Sequence, residues 1–257
     1  METYTHRSMS VENDRVVVIG GTSGIGEAIA YGFATEGADV VATSRRESAV
    51  DQTASELESL GATTTRVTCD VTDEESLQAL CAATTDALGG IDTVIVSQGA
   101  IARESILEIE TAEFDRVIAV ALTGVQRVIQ TFGPEIADGG TIIPISSLTA
   151  RLSMADLPAY TAAKGGVESL TRAASKELAP SVRVNAIAPG FVITPQNEAT
   201  YAEGTEKRTR IDERTPLGRV ADREEIVGGA LFLSSDAASY ITGEVLTIDG
   251  GFATSAF

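Results

Sequence analysis

The chain is short of the residues that usually carry acid–base and metal chemistry. Its one histidine is His6, near the start, so a histidine-ligated metal site or a histidine-based triad has little to build on. Its two cysteines, Cys69 and Cys81, lie in or beside apolar stretches and form no C-x-x-C, which reads as buried free thiols rather than a disulfide. No apolar run approaches the roughly 20 residues of a membrane span. METYTHRSMSVEND at the start has no apolar centre, so it reads as a short disordered lead-in (residues 1–13) and not a secretory signal. The expected location is cytoplasmic. Positive charge is scarce too. Against 37 acidic residues stand 19 basic ones, for a net charge of −18, which argues against nucleic acid as a partner. Lys164, Lys176 and Lys207 are the only lysines. An acidic, lysine-poor surface suits a salt-loving microbe, where molar salt screens self-repulsion within about 3 Å. An acidic enzyme from an ordinary source is the plainer alternative.

What is present is a chain of 257 residues that alternates apolar strand-like runs with helical patterns. It shows no internal boundary or repeat, so one domain over 14–257 is expected. RVVVIG (Arg15–Gly20) reads as a buried strand, GGTSGIG follows, and EAIAYGFATEG reads as a helix. Strand, glycine loop and helix in that order make a dinucleotide site. Gly20 permits a tight turn, Gly24 lets the backbone approach a pyrophosphate, and Gly26 allows close helix–strand packing. The helix start offers free N–H groups to phosphate. The second strand, DVVATS (Asp39–Ser44), ends where NAD-selective sites carry an acidic residue for the ribose 2′-hydroxyl. Here Ser44, Arg45 and Arg46 stand there, two guanidiniums that suit a 2′-phosphate. NADP(H) is therefore favoured, with NAD(H) possible. The two arginines read equally as surface charge at a helix start.

Further strands are expected at Thr63–Cys69, Thr93–Ser97, TIIPIS, Val182–Pro189 and Glu244–Gly251. Helices are expected at Glu47–Leu60, Asp73–Leu88, Phe114–Ile136, from Pro158 to about Leu178, and at Glu224–Leu233. Asp70, at a strand's carboxyl end, suits an adenine amino group or a helix cap. These elements imply a doubly wound parallel sheet whose strand ends hold the ligand. A polar stretch over 194–216, rich in Glu, Arg and Thr, reads as a substrate lid.

SSLTARLSMADLPAYTAAK (Ser146–Lys164) carries the chemistry. Tyr160 and Lys164 are four residues apart, which places them on one helix face. Pro158 suits the first helical turn and Asp156 its cap. A phenol near pKa 10 needs help to work at neutral pH, and a nearby ammonium supplies it. Ser147, thirteen residues before Tyr160, is placed to hold a substrate oxygen.

In this order, GGTSGIG, Asp70-Val71, Ser147, Y-T-A-A-K, RVNAIAPG and LTIDGG resemble a short-chain dehydrogenase/reductase over about residues 14–253. The resemblance implies a single-domain α/β Rossmann fold, a seven-stranded parallel sheet in order 3-2-1-4-5-6-7 with helices on both faces. It implies a homotetramer (or homodimer) and hydride transfer at a nicotinamide. It makes Tyr160 the acid/base, Lys164 the residue that lowers its pKa and binds the nicotinamide ribose, and Ser147 the residue that positions the reacting oxygen. Thr22, Ser23, Ile25, Val71, Ser97, Gly99, Pro189, Gly190, Val192 and Thr194 complete the implied cofactor site. Two departures stand out. The family's N-N-A-G is Val96-Ser97-Gln98-Gly99 here. Its fourth catalytic residue, an asparagine that helps hold a lysine-linked water, is Ala121.

Three functions follow as alternatives. The first is an oxidoreductase of a sugar, sugar acid or polyol, since TPQN through RTPLGRVADREEI resembles members acting on gluconate-type substrates; Arg151, Arg208 and Arg210 would suit a carboxylate. The second is a 3-oxoacyl thioester reductase, which would need a basic docking patch. The third is a cofactor-binding protein with little catalysis, suggested only by Ala121.

Overall fold

The computed structural model describes residues 5–254; Met1 to Tyr4 of the expected lead-in lie outside the described residues. The strands are β1 (Arg15–Ile19), β2 (Asp39–Thr43), β3 (Ile91–Val96), β4 (Ile136–Pro144), β5 (Arg183–Val184), β6 (Ala186–Pro189), β7 (Val192–Ile193), β8 (Ala221–Asp222) and β9 (Val245–Ile248). The α-helices are α1 (Gly24–Thr35), α2 (Glu47–Ser59), α3 (Glu74–Leu88), α4 (Thr111–Ile118), α5 (Gly124–Phe132), α6 (Pro158–Glu177), α7 (Glu206–Arg214) and α8 (Val227–Ser234).

The main sheet is parallel, in the order β2-β1-β3-β4-β5. Helices cover both faces, which is why its strands are near-continuous Val and Ile. The two-residue period of a strand is visible along β1. Val16 and Val18 enter one core, with Ile29 and Phe33 of α1 and Leu233 of α8. Val17 and Ile19 enter the other, with Leu77 and Leu80 of α3, Val128 of α5 and Val167 of α6. This is a Rossmann-like α/β fold, as the alternation of elements implies.

The expected strand order is realised in part. Thr63–Cys69 runs beside β2 without a ladder. Its contacts are scattered: Val40 N donates to the Thr63 carbonyl (3.0 Å), Thr43 Oγ1 to the Val67 carbonyl (2.6 Å), and Cys69 N to the Ser44 carbonyl (3.0 Å). The expected sixth strand is split at Asn185. That side chain is fully buried, donating to the Ile241 carbonyl and accepting from Glu244 N, so the chain turns there from β4 towards β9. β6 pairs with β9, and one bridge, Ile145 to Ile187, joins this pair to the end of β4.

The helix expected over Phe114–Ile136 is interrupted. α4 passes into a π-helical turn (Ala119–Thr123) before α5, and a short 3₁₀ turn ends the run. Ala121 sits within the π turn, fully buried. Asp156 does not cap α6: its φ of 63° is left-handed, and Leu157 precedes Pro158 without a side-chain cap. Cys69 and Cys81 are buried and free, and burial pushes both thiols up to about 11. Within the segment expected as a lead-in, Val11 is buried in the first core and the Ser8 carbonyl accepts from Ala237 N. Among the described residues no helix is long and apolar enough to cross a membrane.

Candidate active site

The end of β1 and the start of α1 form a glycine cradle. Gly20 has a φ of 78°, and a Cβ there would stand 2.6 Å from Gln98 N, so only glycine fits. A Cβ at Gly26 would lie 2.2 Å from the Gly20 carbonyl oxygen, so strand end and helix start touch. Ser23 occupies the N-cap but makes no side-chain cap bond, which leaves the first N–H groups of α1 for an anion. Thr194 reaches over the loop, its Cγ2 at 3.4 Å from where a Gly24 Cβ would be. Thr22 is buried and donates its hydroxyl to Ser44 Oγ (2.8 Å). With that lone pair occupied, Ser44 keeps its own proton to donate outward. These groups fit a dinucleotide.

At the end of β2, Arg45 is exposed and close enough to Asp70 to act on its charge. Burial would raise the Asp70 carboxyl, but hydrogen bonds from the Thr72 hydroxyl and N–H, with Arg45 adding, hold it below its ordinary value. Arg46 is the residue before α2. Val71 packs against α5: a Cβ on Gly124 would lie 2.6 Å from its Cγ2. Ser97 donates from N to the Ile19 carbonyl (2.8 Å), which fixes it and Gly99 beyond β3 beside the glycine loop. Pro189 closes β6, Gly190 follows against Asp249, and Val192 lies in β7. Apart from Tyr160 and Lys164 on α6, and Asp70 and Val71 after the unladdered Thr63–Cys69 segment, the expected cofactor residues lie at or just beyond a strand's carboxyl end or at the start of α1.

Gln98 stands where the family pattern has alanine. Both amide atoms of its side chain are buried with no hydrogen-bond partner among the described residues.

Ser147, Tyr160 and Lys164 meet between the end of β4 and the first turns of α6. Lys164 is buried and donates to the Ile145 carbonyl (2.6 Å), with its ammonium 5.6 Å from the centre of the Tyr160 ring. Ser147 Oγ accepts from Thr149 N (3.2 Å), which orients the hydroxyl. The electrostatics differ from the simple expectation that Lys164 pulls the phenol down. Burial holds Tyr160 above its ordinary value; the Ser147 hydrogen bond opposes this and Tyr201 adds to it. Lys164 is itself pushed down to about 8 by burial, because desolvation disfavours the charged ammonium as it does the phenolate.

The mouth of the site also departs from expectation. Of the three arginines offered for a carboxylate, each is taken by an acid of the same chain. Arg208 Nε holds both oxygens of Asp212 (2.8 and 2.7 Å), Arg210 pairs with Glu206 (2.5 Å), and Arg151 reaches buried Glu168 (3.3 Å). An (i, i+4) register on α7 puts the first two pairs together, which the alternation of charges in EKRTRIDER makes readable afterwards. The expected lid is a folded segment: α7 buries Ile211, and Tyr201 packs edge-on to Phe191 at 5.9 Å. Arg103 and Lys207 line an open cavity with the loop that leads into α6, Tyr201 lies beside Lys207, and none of the three carries a sequence motif that marks it.

A family model described as enoyl-(acyl carrier protein) reductase matches residues 20–253. The chain belongs to the short-chain dehydrogenase/reductase family. It is 37% identical to a cis-4-hydroxycyclohexanecarboxylate dehydrogenase of Sinomonas cyclohexanicum, over 92% of this chain and 95% of that protein. It is 35% identical to the 3-oxoacyl-[acyl-carrier-protein] reductase of Thermotoga maritima, over 95% of this chain and 99% of that one. Among solved structures, a protein from Agrobacterium tumefaciens proposed to be a 2-deoxy-D-gluconate 3-dehydrogenase, with bound NADP, matches with a TM-score of 0.87 and 34% identity, over 96% and 98% of the two chains. As a member of this family the chain is an NAD(P)-dependent oxidoreductase acting on a CH–OH group. These relatives give no support to a salt-loving source.

Proposed function

We propose that the protein interconverts a secondary alcohol and a ketone on a sugar, sugar acid or polyol, using NADP(H) in preference to NAD(H). The observation that carries this is the meeting of Ser147, Tyr160 and Lys164 beside a glycine cradle whose neighbouring strand ends in Ser44-Arg45. The bound nicotinamide would supply the carbon that gives or takes a hydride. The rest falls to the chain. In reduction, the Tyr160 phenol, kept protonated by burial, donates its proton to the substrate oxygen; in oxidation the phenolate takes it back. Ser147 holds that oxygen by hydrogen bond. Lys164, still largely charged at neutral pH with a pKa of about 8, would bind ribose hydroxyls. Ser44 and Arg45 would hold a 2′-phosphate, and the N–H groups at the start of α1 a pyrophosphate.

The polyhydroxylated substrate is supported by the likeness to the Agrobacterium structure and by the polar mouth. The second reading, a 3-oxoacyl thioester reductase, is favoured by the Thermotoga relative. Assembly as a homotetramer or homodimer belongs to the same proposal, to be read as solution mass by light scattering. An oxidation screen of sugars, sugar acids, polyols and 3-hydroxyacyl thioesters, each with NADP+ and NAD+, tests the substrate. Turnover of polyhydroxylated compounds with NADP+ is expected. Turnover confined to thioesters would replace this reading with the second, and no turnover at all with a non-catalytic one.

A further inference from the structure

We infer that Arg103 and Lys207 form a cation pair at the mouth of the site that reads a substrate carboxylate, so that the preferred substrate is a hydroxy acid or keto acid rather than a neutral alcohol. This rests on the reading above and narrows it to the acids. Both side chains line one open cavity of about 580 Å³, which is floored by the loop leading into α6. Neither makes an ion pair among the described residues, although Arg208 and Arg210, on the same helix as Lys207, both do. The chain has 37 acidic residues available for pairing, so two cations left to face each other are conspicuous. Burial lowers the Lys207 ammonium and Arg103 lowers it further, which places the two charges within reach of each other. Binding a carboxylate between them would relieve that repulsion, with the planar Arg103 fork taking both oxygens.

The pair is tied to the reacting groups through packing. Lys207 Nζ stands 5.4 Å from the centre of the Tyr201 ring, and Tyr201 is close enough to Tyr160 to raise its pKa. Ala102, next to Arg103, is buried in the same small apolar cluster that Tyr160 packs against. An acid bound at Arg103 and Lys207 would thus extend from the mouth towards Tyr160. Glu104, Glu108 and Asp156 line the same cavity without pairing to either cation. Their carboxylates are acceptors only, suited to hydroxyl groups along the substrate; they oppose any anion not seated directly against the two cations.

The test uses the full chain with NADP+ and two probe pairs: gluconate against sorbitol, and 4-hydroxycyclohexanecarboxylate against cyclohexanol. Wild type should favour the acid of at least one pair. Arg103→Ala with Lys207→Ala should raise the KM for that acid about tenfold or more, with kcat and the neutral partner's KM changing far less. Arg210→Ala, which removes a cation from the same helix, should leave the preference intact. Gluconate should also inhibit competitively against whichever alcohol is turned over, and the double variant should lose that inhibition. Turnover of the neutral members alone, without inhibition by gluconate, would overturn this inference and leave the polyhydroxylated reading standing. An acid preference that survives the double substitution would overturn the residue assignment. Turnover of thioesters alone would defeat the broader reading, and absence of gluconate inhibition there would defeat the cation pair as well.

Discussion

The cofactor half and the substrate mouth are built on different principles. Around β1, α1 and β2 the decisive contacts are backbone to backbone. Gly26 meets the Gly20 carbonyl, Gly20 meets the chain at Gln98, and the Gly20 and Gly21 N–H groups donate to the Thr43 carbonyl. Around the mouth the decisive contacts are between long side chains whose partners are chosen by the folded surface. Arg208 finds Asp212 and Arg210 finds Glu206, while Arg103 and Lys207 find no acid among the described residues. The first kind of site depends on sterics and tolerates no added atom. The second depends on charge and can be retuned by one substitution, which suits a family whose members share a cofactor and differ in substrate.

The largest effect should come where the two halves join. Tyr160→Phe removes the phenol's proton and keeps the ring's packing. A proton-transfer group contributes roughly 10²–10⁴-fold, so kcat should fall by at least about 10²-fold with KM little changed. The pH profiles follow from the direction of the shift. With the phenol held above its ordinary value, reduction should be flat through neutral pH, and oxidation should climb as pH rises into the alkaline range. An oxidation profile already saturated at pH 7 would mean that the phenolate is stabilised by something other than the groups seen here. Near-full turnover by the phenylalanine variant would show that the assigned roles are wrong.

Next comes the steric core of the cofactor half. Gly26→Ala places a Cβ 2.2 Å from a backbone oxygen that cannot rotate away. Overpacking of this kind costs about 1–3 kcal/mol. Calorimetry should show a lower Tm, and NADP(H) titration weaker binding. A variant that binds NADP(H) as tightly as wild type would break the claim that this half depends on sterics.

The contrast also explains what could be read from the chain without coordinates. RVVVIG, GGTSGIG and the Tyr160–Lys164 spacing are local patterns, and local geometry follows from them. The two buried faces of β1 are already present in its unbroken apolar run. Four things needed the fold. Thr63–Cys69 has a strand's composition, but its hydrogen bonds to β2 are too scattered for a ladder. Asp156 has a capping residue's chemistry, but its left-handed backbone hands the cap position to Leu157. The fate of an arginine is set by which carboxylate lies within reach of its guanidinium, and that depends on helix register and on segments far apart in the chain. Arg151 and Glu168 are such a pair. Lys164 belongs here as well: spacing puts it beside Tyr160, but only burial reveals that its own charge is weakened.

Arg45→Ala should have a smaller effect, confined to one cofactor. If the exposed guanidinium reads a 2′-phosphate, kcat/KM with NADP(H) should fall several-fold to tens-fold, the worth of a charge-assisted hydrogen bond of about 1.5–3 kcal/mol discounted for exposure. NAD(H) should be almost unaffected. Equal losses with both cofactors would remove Arg45 from the 2′ site. Salt should act on both halves together. If the net charge of −18 is an adaptation to a salty cytoplasm, Tm should rise steadily from low to molar KCl as repulsion is screened. A flat or falling curve would leave an acidic enzyme with no such adaptation.

The smallest effect on selectivity should come from Arg208, which makes it the sharpest control on the mouth. The sequence offers Arg208 for a carboxylate and does not mark Arg103. In the fold its Nε is held by both Asp212 oxygens and its Nη1 donates to the Tyr201 carbonyl (3.1 Å), while Asp212 also accepts from Val220 N (2.9 Å). The Arg208–Asp212 pair therefore clamps α7 to the segments on either side of it, with Nε and Nη1 of the guanidinium engaged. Arg208→Ala should lower Tm, by an amount matching about 1 kcal/mol for a partly buried pair in good geometry. The ratio of kcat/KM for an acid to that for its neutral partner should stay within about twofold, well under one pKa-equivalent of free energy. The same ratio should collapse in the Arg103 and Lys207 double variant while its Tm holds. A fall in selectivity with Arg208→Ala at unchanged Tm would reverse the two roles: the paired arginine would be the one that meets the substrate, and the contrast between the halves would no longer extend to the mouth.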